Sequence, residues 1–128
     1  MDYEEAGNYF HLSFPLYVLV EAPAPGAARL TSLDSATFFE PEMEDGRCLA
    51  LFTDEDNAQR QIDACQPHQS FLALPLSIDR VLLLANQRAP HVDGVVLDLN
   101  PQTRLGIPWN MVGFLGRLAR LMRGDETE

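Results

Sequence analysis

Between Arg47 and Ala58 the sequence reads RCLALFTDEDNA. An apolar run, Cys48-Leu49-Ala50-Leu51-Phe52, passes directly into Thr53 and three acids, Asp54, Glu55 and Asp56. A short unbroken apolar run reads as a buried strand. A Thr or Asp just before a helical pattern reads as a helix cap, and carboxylates in the first turn favour the positive end of the helix dipole. The stretch therefore predicts a strand running straight into a capped helix, with Thr53 or Asp54 as the cap. The strand-helix alternation downstream grows from it.

After this start, Ala58, Ile62 and Cys65 recur at helical spacing and form one narrow apolar face. Asn57, Gln59, Arg60, Gln61 and Asp63 form the polar face, and Gln66-Pro67-His68 ends the helix. Phe71 to Leu76 is a further strand, with Pro75 marking an edge or an end. Ser77 reads as the cap of a second helix carrying Ile78, Val81, Leu82 and Ala85, widened by Leu83 and Leu84 and closed by Arg88-Ala89-Pro90. Asp93-Gly94 opens the strand Val95 to Leu99, stopped by Asn100-Pro101. Gln102-Thr103 makes a turn into a short returning strand, Arg104 to Ile107. Pro108 then pre-sets the first turn of a last helix. Its expected apolar face is Trp109, Val112, Leu115, Ala119 and Met122, with Leu118 and Leu121 beside it and Arg117, Arg120 and Arg123 three apart on a second side.

Upstream, Pro15 to Glu21 is a strand ended by Ala22-Pro23-Ala24-Pro25-Gly26, and Arg29 to Leu33 is a weaker one. The acid-rich stretch 34–46 reads as a solvated loop, and Asp45-Gly46 as a turn. The expected order is β-β-β-α-β-α-β-β-α: an α/β single domain with a mixed sheet and helices packed on it. It occupies residues 15–124. Residues 1–14 are an N-terminal arm that docks through Tyr9, Phe10 and Leu12, and residues 125–128 are an acidic tail.

Charge narrows the function. The formal net charge is −10, and residues 1–56 carry twelve acids against two arginines. Such a chain repels phosphate backbones, so no nucleic acid is expected as partner. Every basic residue is arginine. No apolar run reaches the roughly 18 residues a membrane helix needs, and no membrane partner is expected. Met1-Asp2-Tyr3-Glu4-Glu5 is acidic where a secretory signal is basic, so a cytoplasmic protein is expected.

Candidate chemistry is sparse. Cys48 and Cys65 read as buried thiols, since Cys behaves as a small hydrophobe. His11, His68 and His91 are far apart and lack zinc-ligand spacing, so neither metal nor cofactor is expected. Ser77 lies in no nucleophile elbow, and no glycine-rich phosphate loop is present. Asp54 with Asp56, or Asp93 with Asp98, are candidate acid-base pairs, but each has a plainer role at a turn or helix start. No catalytic residues are assigned.

Three stretches together resemble the N-terminal domain of SseB-like proteins: Leu16-Tyr17-Val18-Leu19, Leu49 to Asp56, and Asp93-Gly94-Val95-Val96-Leu97-Asp98-Leu99-Asn100-Pro101. The resemblance covers residues 15–120. It implies a compact α/β domain with no established enzymatic role, loosely linked to serine sensitivity and type III secretion. It transfers no catalytic residues.

The leading expectation is a non-enzymatic protein-interaction or regulatory module whose partner is another protein. Its candidate face is Arg117, Arg120 and Arg123 with Trp109, and homo-oligomerisation through the C-terminal helix is a further expectation. The alternative is a small-molecule-binding domain or unrecognised enzyme, with a pocket at the strand-to-helix ends near Thr53, Asp54 and Asn100, where open α/β sheets bind ligands.

Overall fold

The computed structural model describes residues 14–21, 37–44, 46–66 and 69–123. At the centre of the sheet lies β3 (Gly46–Phe52), the apolar run that precedes Thr53. It is parallel to β5 (Gly94–Leu97), with Leu49 opposite Val95 and Leu51 opposite Leu97. On its other side β1 (Leu16–Glu21) is antiparallel to it. Next, β4 (Phe71–Leu76) pairs antiparallel along all of β1, and at the far edge β6 (Ile107–Asn110) pairs antiparallel with β5. The order is β4-β1-β3-β5-β6, with the short β2 (Glu42–Met43) on the start of β3. Helices α1 (Glu55–Cys65), α2 (Ile78–Arg88) and α3 (Met111–Arg123) pack on this mixed sheet. The architecture is the expected α/β one, in the expected element order.

Side-chain alternation sorts the strands between two cores. Leu16, Val18 and Val20 of β1, Leu49 and Leu51 of β3, and Val95 and Leu97 of β5 meet α2 and α3 on one face. Leu19, Cys48, Ala50, Phe52 and Val96 point the other way, toward Ala58 and Ile62 of α1. The central strands are thus apolar on both sides, which is why β3 and β5 read as unbroken runs.

The second strand among the described residues is one that the sequence reads as loop. Arg29–Leu33 lies outside the described residues, as do the arm contacts Tyr9, Phe10 and Leu12 and the tail 125–128. Glu42–Met43, in the stretch expected to be loop, pairs with Arg47 and Gly46. The cause is a gap in the sheet. β1 and β3 meet at Tyr17–Phe52 and Val18–Leu51, and residues 37–41 enter between them beyond that point. Phe39 N donates to Leu19 O at 3.0 Å, while Ala50 N and Cys48 N donate to Phe39 O and Pro41 O at 3.4 and 3.0 Å. Buried backbone groups need partners, and this segment supplies them where the two strands part. It is held from behind by Arg88, whose Nε and Nη2 donate to Glu40 at 2.6 and 2.8 Å.

Two further readings need correction. Gln61, assigned to the polar face of α1, is buried, with its Nε2 donating to Cys65 Sγ. The last helix is out of phase with its expected face. Pro108 does not start it: Pro108 sits in β6 opposite Val96, where an edge strand tolerates the missing N–H. The returning strand is therefore Ile107–Asn110 rather than Arg104 to Ile107, and the helix begins at Met111. Its buried residues are Met111, Phe114, Arg117 and Leu118, with Phe114 edge-on to Trp109 at 5.9 Å. Val112 is 83% exposed.

This phase has a direct consequence. Phe114→Ala should cost about 3–5 kcal/mol of stability, as expected for an aromatic removed from a packed core. Val112→Ala should change it by no more than about 0.5 kcal/mol. Urea unfolding midpoints of the two variants check this; equal effects would contradict the assigned face.

Candidate interaction cleft

The residues singled out at the strand-to-helix ends are brought near one another, and the fold uses each of them. β5 ends at Leu97, and Asp98 takes φ 54°. From there Asp98 N donates to Leu51 O at 2.9 Å. Its carboxylate accepts from Thr53 N at 2.8 Å and Thr53 Oγ1 at 2.7 Å. Thr53 is therefore the strand junction, and Asp54 is the cap: its Oδ1 accepts from Asn57 N at 2.7 Å. Asn100 organises the next turn, with Oδ1 accepting from Gln102 N and Thr103 N at 2.8 and 3.1 Å. Asp93 stands at the opposite end of β5, bonded to Arg47, so Asp93 and Asp98 form no acid-base pair.

Ser77 holds the N-cap position of α2, but its side chain caps no backbone N–H. Its Oγ donates to Asp79 Oδ1 at 2.5 Å instead. That hydrogen bond is the main reason the exposed Asp79 carboxyl lies below the usual aspartate range.

A cleft opens on the α1 side of the sheet. α1 packs on β4, β1 and β3, because its apolar face is only as wide as Ala58 and Ile62. Beyond it, among the described residues, no helix covers the β5–β6 half of that face. Cys48, Val96 and Pro108 form the floor of a cleft of about 360 Å³. Met43 of β2 stands on one side and Leu105 on the other. Leu105 is 71% exposed. The rim carries Glu42, Glu44 and Arg104.

The loop that carries Leu105 is drawn down by Gly106. A Cβ there would lie 2.6 Å from Val96 Cγ2 and 2.9 Å from Leu97 O, so only glycine lets the backbone approach so closely. Arg104 adopts φ 59°, an unfavourable region for a side chain with a Cβ. Its Nη2 donates to Glu42 O at 3.1 Å, which joins the two walls. Glu42 also faces Arg47 at 3.4 Å, an exposed pair worth little by itself. The cleft is thus an apolar slot with a mixed, mostly acidic rim.

The residues of the candidate arginine face are not brought onto one exposed surface. Trp109 is buried beneath α3, and Arg117 is 4% exposed. Arg120 and Arg123 are exposed. His91 is exposed in a loop, and His11 and His68 lie outside the described residues. Among the described residues no three His, Cys, Asp or Glu side chains gather as a metal site. Among them, too, no helix is long and apolar enough to cross a membrane.

None of the cleft residues was singled out in the sequence. Cys48 and Val96 read as core, and Pro108 as a helix start. The signal that existed was the narrowness of the apolar face of α1, which is too small to cover one side of a five-strand path. No family model matches the chain, and no curated protein matches it.

Two measurements check the strand-end assignments. Thr53→Val removes one donor to a partly buried carboxylate and should cost about 1–3 kcal/mol in urea unfolding. Ser77→Ala should raise the Asp79 pKa toward the ordinary aspartate value in an NMR titration; an unchanged titration would mean that Ser77 is not the cause.

Proposed function

We propose that this chain is a non-enzymatic protein-interaction module, an SseB-like N-terminal domain acting in the cytoplasm, and that its contact surface is the cleft on the half-covered face of the sheet. One observation carries the reading. Among the described residues no helix covers the β5–β6 half of that face, and there Cys48, Val96 and Pro108 line an apolar slot edged by Glu42 and Glu44. An apolar slot calls for an apolar side chain. Two glutamates, in a chain of net charge −10, call for a basic residue beside it. The partner is a protein segment with a large apolar side chain flanked by Arg or Lys. Arg104 already donates to the Glu42 backbone, so it orders the rim more than it attracts an anion.

The exposed Leu105 makes a clean test. Peptides selected from a random library on the wild-type domain should share an apolar-basic pattern. Leu105→Asp should weaken their binding about tenfold or more, that is by at least about 1.4 kcal/mol. Glu42→Gln/Glu44→Gln should flatten the salt dependence of binding. Arg120→Glu/Arg123→Glu should leave it unchanged. Peptides that bind the folded Leu105→Asp protein as well as wild type would contradict the reading, and loss on the arginine variant would move the contact to α3.

A small-molecule ligand is the second reading, favoured by the cleft volume, which falls within the range of ligand pockets. A library compound that raises the melting temperature of wild type, and not of Leu105→Asp, would support it.

A further inference from the structure

We infer that the outer edge of β4 is a self-association edge, along which two copies of this chain pair antiparallel about a two-fold axis to form one continuous sheet. β4 is the last strand on its side of the sheet, and all six of its residues pair with β1 on the inner side. Among the described residues no strand pairs with its outer side. An edge strand presents a row of backbone donors and acceptors, and proteins that stay monomeric guard such edges with charge, proline, bulges or cover. The opposite edge, β6, is guarded: it has four residues with Pro108 inside them. β4 is six residues long and reads Phe71-Leu72-Ala73-Leu74-Pro75-Leu76, with no charge and with its proline only next to the end, which leaves Phe71 to Leu74 unguarded. No Asp, Glu, Lys or Arg occurs anywhere between Asp63 and Asp79.

Charge selects a second copy as the occupant. Two chains of net charge −10 repel overall, and a border without charged side chains lets them meet without facing like charges. A basic partner segment would find no carboxylate along the strand. Antiparallel pairing of a strand with its own copy is self-complementary by symmetry. Centred on Leu72, the pairing sets Leu72 opposite Leu72 of the second copy and Pro75 opposite Gln69 at each end, where its missing N–H removes only an outermost rung. Leu72 supplies the apolar reason to close. It lies opposite Val20, on the α2 side of the sheet, yet stays 49% exposed. In the dimer the two Leu72 side chains cover one another. The cleft, at the other end of the strand order, stays open in both copies, so this inference stands apart from the proposed function.

Sedimentation equilibrium over a wide concentration series tests it on the full chain, with amide hydrogen exchange on the same samples. Wild type should approach the dimer mass as concentration rises, and β4 amides should gain protection in step. Leu72→Lys, verified as folded by circular dichroism, should remain monomeric. It reduces the net negative charge, so added general repulsion cannot explain that loss. Val112→Lys on α3 should dimerise like wild type. A wild type that stays monomeric throughout, a dimer that survives Leu72→Lys, loss of the dimer on Val112→Lys, or β4 protection independent of concentration would each overturn the inference.

Discussion

Two aspartates clamp the parallel pair at the middle of this fold. Parallel neighbours have no tight turn between them to set their register, since the connection must cross over the sheet. Here the crossover runs through α1, β4 and α2. The register is set at the strand ends instead. At one end Asp93 N donates to Arg47 O at 2.8 Å, and Arg47 N donates back to the Asp93 carboxylate at 3.1 Å. At the other end Asp98 takes two donors from Thr53 and gives its own N–H to Leu51 O. Gly46 allows the first clamp: its φ is +131°, and a Cβ would run into the Asp93 carboxylate.

The parts attached to this pair follow from it. Thr53 is fixed by Asp98, so Asp54 stands at the start of α1 with its carboxylate on Asn57 N. Asp98 also turns the chain out of β5 into the segment that Asn100 folds back and Gly106 presses onto Val96. The loop wall of the cleft is therefore an extension of the same clamp. Cover is uneven because the helices are uneven. α2 and α3 together bring Val81, Leu84, Phe114 and Leu118 to one face, while α1 brings chiefly Ala58 and Ile62 to the other. The open half of the sheet is the remainder of that imbalance.

Much of the fold was legible because local signals agreed with it. The apolar run before Thr53, the cap at Asp54, and Asp93-Gly94 ahead of a β-branched run each mark an element by their own chemistry. What was not legible depends on distant partners. Glu42–Met43 is a strand because β1 and β3 part and leave backbone groups to be met. Pro108 looks like a helix start until Val96 is placed opposite it, and this shifts the phase of α3 so that Phe114 rather than Val112 faces the core. Arg117 counted as surface by its charge, yet lies within the packed side of α3. The cleft is a gap in cover among the described residues, and no residue type announces that.

The claim on which the rest depends is that β3 and β5 form the most firmly held unit of the domain. Native-state hydrogen exchange, read residue by residue, tests it most directly. The account predicts that amides of Leu49 to Phe52 and Val95 to Leu97 exchange slowest and share one opening free energy, equal to that of global unfolding. Amides of β4 or α3 that outlast them, or β3 and β5 opening with separate free energies, would contradict it.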